Sequence, residues 1–225
     1  MKKYVILFLL LSFSICYADG WYYSKSVTAA TPQHSYALDA AGGAGSAQVY
    51  DSIATSWKGG GADTVSFASG YLEADSTSDR CYVPGTDFDY NVVTIEFEYQ
   101  VSNVEDSNLY PFNISGSGDE ISFRHFVGTD TGRVAYRANY GTEVTLNFSN
   151  VGLAVNTWYK VYIVIDVTGN DVYVYVNGTL VASSVDNANV VDPGTLDNAY
   201  IGYIASGTNV VRMKNLKVYN ESVTP

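Results

Sequence analysis

Cysteine is almost missing from this 225-residue chain, which has only Cys16 and Cys81. Cys16 falls in a segment that reads as a removable leader. Cys81 is then left alone, and no internal disulfide can staple the fold. It sits in the strand-like run Cys81-Tyr82-Val83 and reads as a small buried hydrophobe, with a nucleophilic role the weaker alternative. Histidine is as scarce, with His34 and His125 alone. Without His-Glu-x-x-His or a cysteine pair, a zinc site lacks its usual ligands. The Gly-x-Ser-x-Gly elbow and the Gly-x-x-x-x-Gly-Lys phosphate loop are missing too. Charged residues make up only 16% of the chain, with 23 acids against 12 bases and a net −11. Such a surface is a poor match to a nucleic acid backbone or an anionic membrane, so neither is expected as a partner.

What is present is apolar and aromatic: 47% hydrophobic residues, 20 Tyr and 20 Gly. That excludes an extended disordered chain. Met1-Lys2-Lys3 supplies a positive start, Tyr4 to Ile15 a short apolar run, and Cys16-Tyr17-Ala18 a small-x-small site. Residues 1–18 therefore read as an export signal cleaved before Asp19, with lipid attachment at Cys16 disfavoured by bulky Ile15. The apolar run is shorter than the ~20 residues that span a bilayer. The expectation is an exported protein in the periplasm, at the cell surface or in the medium, with residues 19–225 as one domain.

The rest reads as strands. Val93, Ile95, Phe97, Tyr99 and Val101 alternate with Thr94, Glu96, Glu98 and Gln100, which predicts a half-buried strand. Ile121 to Val127, Arg133 to Tyr140 and Glu143 to Phe148 follow as a three-stranded meander with Gly-bearing turns. Trp158 to Val167 and Asp171 to Val176 flank Thr168-Gly169-Asn170 as a hairpin, and Tyr200 to Ile204 and Leu216 to Tyr219 close the set. Shorter strands are expected at Ser35–Leu38, Gln48–Tyr50, Thr64–Phe67, Gly70–Ala74 and Arg80–Val83. The Gly- and Ala-rich stretches Ala40 to Ser46 and Lys58 to Asp63 read as surface loops. No stretch sustains a 3.6-residue period, so the class is an all-β antiparallel sandwich or barrel.

Asn156-Thr157-Trp158-Tyr159-Lys160, with Val174-Tyr175-Val176-Asn177-Gly178 on the next strand, resembles the signature hairpin of laminin-G-like domains. These belong to the concanavalin A-like lectin/glucanase superfamily. Val93 to Phe97, Ile201-Gly202 and Leu216 to Tyr219 resemble other strands of that family, and the likeness covers roughly Gly70 to Asn220. It implies a jelly-roll β-sandwich. It does not choose among lectins, glycosidases, lyases and adhesion modules. Asn177-Gly178 has the residues a tight positive-φ turn demands, and Trp158 is expected to pack over the core rather than stack on a sugar.

Three chemistries can be weighed on named residues. Glu96 and Glu98 share a strand face at a spacing that suits a glycosidase pair. The resemblance, however, calls for a longer Glu-x-Asp series than Glu96, Glu98, Gln100 provides, and solvated glutamates are the plainer reading. His125, alternating with Phe123 and Val127, reads as a hydrogen-bonded core or rim residue. Calcium is the one ion worth carrying, with Asp87, Asp89, Asp106 and Asp119 as candidate oxygen ligands and no known loop spacing among them. The tyrosines argue for binding, because each offers a flat apolar face and a hydrogen-bonding tip. Tyr136, Arg137, Asn139 and Tyr140 on the meander, and Tyr173 and Tyr175 on the hairpin, are the candidate carbohydrate contacts. One strand's pattern does not tell which face is outermost. The sequence therefore points to a non-catalytic recognition module for a polysaccharide or glycan. An adhesion protein contacting a cell-surface protein stands second, and an endo-glycosidase using Glu96 and Glu98 third.

Overall fold

The computed structural model describes residues 30–39, 48–59, 65–68, 70–77, 79, 81–102, 109–115, 118–126, 130–204 and 210–225. The leader with Cys16, the loop carrying Asp106 and most of the two Gly/Ala-rich stretches lie outside the described residues. In chain order the strands are β1 (His34–Tyr36), β2 (Val49–Asp51), β3 (Ser56–Lys58), β4 (Ser66–Ala68), β5 (Tyr71–Ala74), β6 (Cys81–Val83), β7 (Val92–Val101), β8 (Leu109–Ser115), β9 (Glu120–Phe126), β10 (Thr131–Arg137), β11 (Val144–Ser149), β12 (Tyr159–Asp166), β13 (Asp171–Val176), β14 (Thr179–Ser184), β15 (Ala199–Ile204) and β16 (Val211–Tyr219). One 3-10 turn, Gly85–Phe88, joins β6 to β7, and the described residues contain no α-helix.

Two antiparallel sheets face each other as a jelly-roll sandwich. The ten-stranded sheet runs β14-β13-β12-β7-β16-β1-β2-β3, with β5 also paired to β16 and β4 to β5. The six-stranded sheet runs β11-β10-β9-β8-β15-β6 and contains the expected meander β9-β10-β11. The predicted alternation is β7: Val93, Ile95, Phe97, Tyr99 and Val101 face the other sheet and are buried. Phe97 lies at the middle of the core. Its ring stacks on Phe112 at 5.8 Å and meets Phe123 edge-on at 5.5 Å. Cys81 is fully buried, and burial pushes its thiol up to about 12, which makes it inert at neutral pH.

Turn chemistry falls where the residues call for it. Asn177 and Gly178 take φ of 48° and 82°, closing the β13–β14 hairpin. Strand β10 ends at Arg137, earlier than the pattern predicts, because Asn139 and Tyr140 take φ of 50° and 58°. The Gly141 amide then donates to the Ala138 carbonyl, and the chain turns.

Candidate functional site

Period two in the ten-stranded sheet carries a second set of side chains to its outer face. Cross-strand register aligns them into rows. Tyr175 on β13 faces Tyr162 on β12, which faces Glu96 on β7, which faces Lys217 on β16. The neighbouring row is Lys160, Glu98 and Lys214. Beyond it, Trp158 precedes inward-facing Tyr159, so alternation turns its ring outward. It lies 5.8 Å from the Tyr71 ring, and the Lys214 ammonium sits 4.2 Å over its face. The expectation that Trp158 packs over the core is thereby corrected. It is half-buried on the outside, with Arg212 5.6 Å from the Tyr71 centroid beside it.

Lysines surround both glutamates. Glu96 is buried and accepts from Lys160 Nζ at 2.7 Å, Lys217 Nζ at 3.2 Å and the Tyr219 hydroxyl at 2.6 Å. Burial alone would raise its pKa. The hydrogen bonds from Lys160 and Tyr219 and the charges of the two lysines outweigh it and hold the carboxyl below its ordinary value. Glu98 is paired with Lys214 at 3.3 Å and accepts from Asn215 at 2.8 Å. A glycosidase acid needs the opposite shift. Glu96 is therefore a carboxylate that organises two lysines. Because its native pKa is depressed, its contribution is present above the free-glutamate value of about 4.3 and is lost as pH falls through the native one. Glu96→Gln is expected to lower stability at pH 7 by about 1–2 kcal/mol in urea unfolding, a figure discounted for the solvent-screened lysines.

The sequence-predicted contacts do not share a face. Tyr173 and Tyr175 stand half-buried on the outer face just described. Tyr136 points into the core instead, fully buried, and its hydroxyl donates to the Val191 carbonyl. Its position beside outward Arg137 on a strand places it on the opposite side. Arg137 lies on the outer face of the six-stranded sheet near Glu120, at 3.8 Å. Asn139 and Tyr140 occupy the turn after β10, where Tyr140 is 75% exposed. His125 is also in the core, between the Tyr99 and Tyr159 rings, and its Nδ1 has no hydrogen-bond partner. Burial lowers its pKa to about 4, so it is neutral.

The acidic candidates are scattered as well. Asp119 is buried and its carboxylate accepts from the Asn139 amide at 2.6 Å, while Asp89 is exposed. Asp106 lies outside the described residues. Asp87 joins two residues that were not paired with it in sequence. His34, Asp51 and Asp87 each offer one donor atom within 4.8 Å of the others, a set that could hold a metal ion. The His34 Nδ1–H donates to Asp51 at 2.6 Å, and the Lys58 ammonium stands 3.6 Å from Asp87. Lys58 already supplies positive charge there. Long separation along the chain, from β1 to the 3-10 turn, hides this cluster from spacing arguments.

Comparison with known proteins agrees with this architecture. A family model described as the concanavalin A-like lectin/glucanases superfamily matches residues 75–225. No curated protein matches the chain. Among solved structures, the botulinum neurotoxin serotype D binding domain superposes with a TM-score of 0.66 at 13% identity, covering 86% of this chain and 48% of that one. The serotype D ligand-binding domain in complex with N-acetylneuraminic acid gives 0.66 at 14%, with 86% and 48% covered. A type C neurotoxin structure, titled for cell entry that depends on two ganglioside molecules, gives 0.62 at 13%, with 84% and 48% covered. The chain spans about half the length of these structures, and at such identities the likeness is one of fold.

Proposed function

Because the chain belongs to the concanavalin A-like lectin/glucanase superfamily, whose sandwich leaves two sheet faces outward, we propose that it is a non-catalytic carbohydrate-recognition module. The outer face of the ten-stranded sheet is its binding surface, and the module works outside the cytoplasm after loss of residues 1–18. One observation carries the reading. Trp158 and Tyr71 form an outward aromatic pair beside Lys214, Glu98 and Asn215, which join flat apolar rings to hydrogen-bonding groups fixed by their own pairings. A sugar offers the matching surface, an apolar C–H face rimmed by hydroxyls. Structures of the same fold include a complex with N-acetylneuraminic acid and a toxin whose cell entry depends on ganglioside, which makes a glycan a natural choice. The paired state of Glu96 and Glu98 supports binding over hydrolysis.

Trp158→Ala is expected to weaken binding of the best glycan on an array about tenfold or more, as for a truncated aromatic anchor. Tyr136→Ala should lower the melting temperature, since that ring is in the core, with affinity unchanged in the protein that stays folded. Undiminished binding by Trp158→Ala would move the site elsewhere. A protein-contact role has one observation in its favour: edge strand β14 exposes Leu180 (49%), with Val185 (54%) just beyond it. Self-association that is lost in Leu180→Glu, with no glycan bound, would select it.

A further inference from the structure

The six-stranded sheet has an outer face of its own, and its chemistry differs. Two irregularities lie side by side in it. Register slips between Leu109 and Phe112 on β8, and Gly202 on β15 takes φ of 71° with its α-carbon facing Leu72. They turn Tyr110 and Tyr203 away from the core and opposite each other, Tyr203 half-buried and Tyr110 buried beneath its neighbours. The result is a ladder of rings across three strands: Tyr82 to Tyr200 at 6.4 Å, Tyr200 to Tyr203 at 6.1 Å, and Tyr203 to Tyr110 at 5.7 Å. The Arg124 guanidinium on β9 caps it, 4.2 Å over the Tyr110 ring. Arg133 on β10 and Asn147 on β11 continue the row in register. Six strands about 4.8 Å apart make that row roughly 24 Å long. One register step away, Phe126, Thr131, Asn147 and Ser149 line an open pocket of about 380 Å³.

Charge distinguishes Arg124 from its neighbours. Lys58, Arg133, Arg137, Lys160, Arg212, Lys214 and Lys217 each stand against a carboxylate. Among the described residues Arg124 is the cation that has none, on a chain with nearly two acids for every base. Burial and the adjacent Arg133 lower its pKa, and the charge of Glu143, which is paired with Arg133, offsets them only in part.

We infer that this row is a second binding surface and that its ligand is an acidic oligosaccharide, with sugar rings along Tyr82, Tyr200 and Tyr203 and a carboxylate or sulfate on Arg124. The choice of a sugar rests on the recognition reading above, whereas the choice of place does not. A nucleic acid would bring a phosphate at every residue to a protein of net −11, and one unpaired arginine cannot offset that. A sparsely charged glycan needs only one. Planar guanidinium pairs with a carboxylate or sulfate through two parallel hydrogen bonds while its face stays on the tyrosine.

The test is calorimetric titration of the full chain with an oligogalacturonate, its carboxyl-reduced counterpart and a sulfated oligosaccharide. Binding of the oligogalacturonate or the sulfated chain, about tenfold weaker in Arg124→Gln and in Tyr203→Ala, is the expected result. Glu143→Gln releases Arg133 from its partner and should tighten binding, a gain that misfolding cannot mimic. Equal affinity for the carboxyl-reduced chain, or no effect of Arg124→Gln, overturns the proposal. So does binding of single-stranded oligonucleotide in preference to both acidic sugars. If acidic sugars bind but lose affinity only in Trp158→Ala, this second surface is wrong and the recognition reading survives. If no glycan binds any form, both fail.

Discussion

Phe97→Ala is expected to lower the unfolding free energy by about 3–5 kcal/mol, the range for emptying a buried aromatic site. The ring is fully buried and packs on Phe112, Phe123 and Tyr99, so both sheets lose a contact at once. Glu98→Ala changes the very next residue, on the other side of the sheet. It should cost within about 1 kcal/mol, because its pair with Lys214 is solvent-screened. Urea unfolding of the two variants reads the contrast. Similar losses would mean that β7 does not divide core from surface as described.

A second large effect comes from His125. The native side chain takes its proton near pH 4, because burial disfavours the charged ring and the attraction of Asp130 does not compensate. In the unfolded chain the proton is taken near 6.5. Between those values the unfolded state holds more protons, so stability falls as pH falls. The loss is about 3 kcal/mol from pH 6.5 to 4, levelling off below. Glu96, Asp51 and Glu143 act in the next window down, since their lowered pKa values place their loss below the ordinary carboxylate range. Unfolding measured against pH should therefore show two acid-sensitive ranges, and His125→Phe should flatten only the upper one. A wild-type curve that is flat between pH 6.5 and 4 would contradict a buried neutral His125.

Sequence pattern revealed the parts of this fold that obey simple periodicity. Strand β7 alternates without a break, and its bounds differ by one residue from the pattern. Asn177-Gly178 marks its turn by chemistry that few other residues share. Strand β8 was not legible: Pro111 stands in its middle, and the slip between Leu109 and Phe112 destroys the alternation. Strand β14 was missed as well, because an exposed edge strand carries no buried face to repeat. Tyr136 shows the same limit from another side. Alternation told that it and Arg137 oppose each other, but not which of them was inside.

The functional faces were partly legible for a related reason. A strand sequence shows that Glu96, Glu98, Tyr173 and Tyr175 lie on polar sides, whereas register decides what stands next to what. The row from Tyr175 to Lys217 joins residues of four strands, and the ladder from Tyr82 to Tyr110 joins three. Tyr82, Tyr200, Tyr203 and Arg124 are therefore invisible as a group along the chain. Gly202 was the available signal, since a glycine inside a strand often marks a bulge.

Side-chain NMR of the labelled protein during glycan titration observes the outward rings directly. Recognition on the outer face of the ten-stranded sheet predicts that the Trp158 indole and the ring signals of Tyr71 and Tyr175 shift and saturate together, while His125 and Tyr136 stay in place. Saturating glycan that moves none of those outward rings, or that moves only the turn at Asn139 and Tyr140, would contradict it.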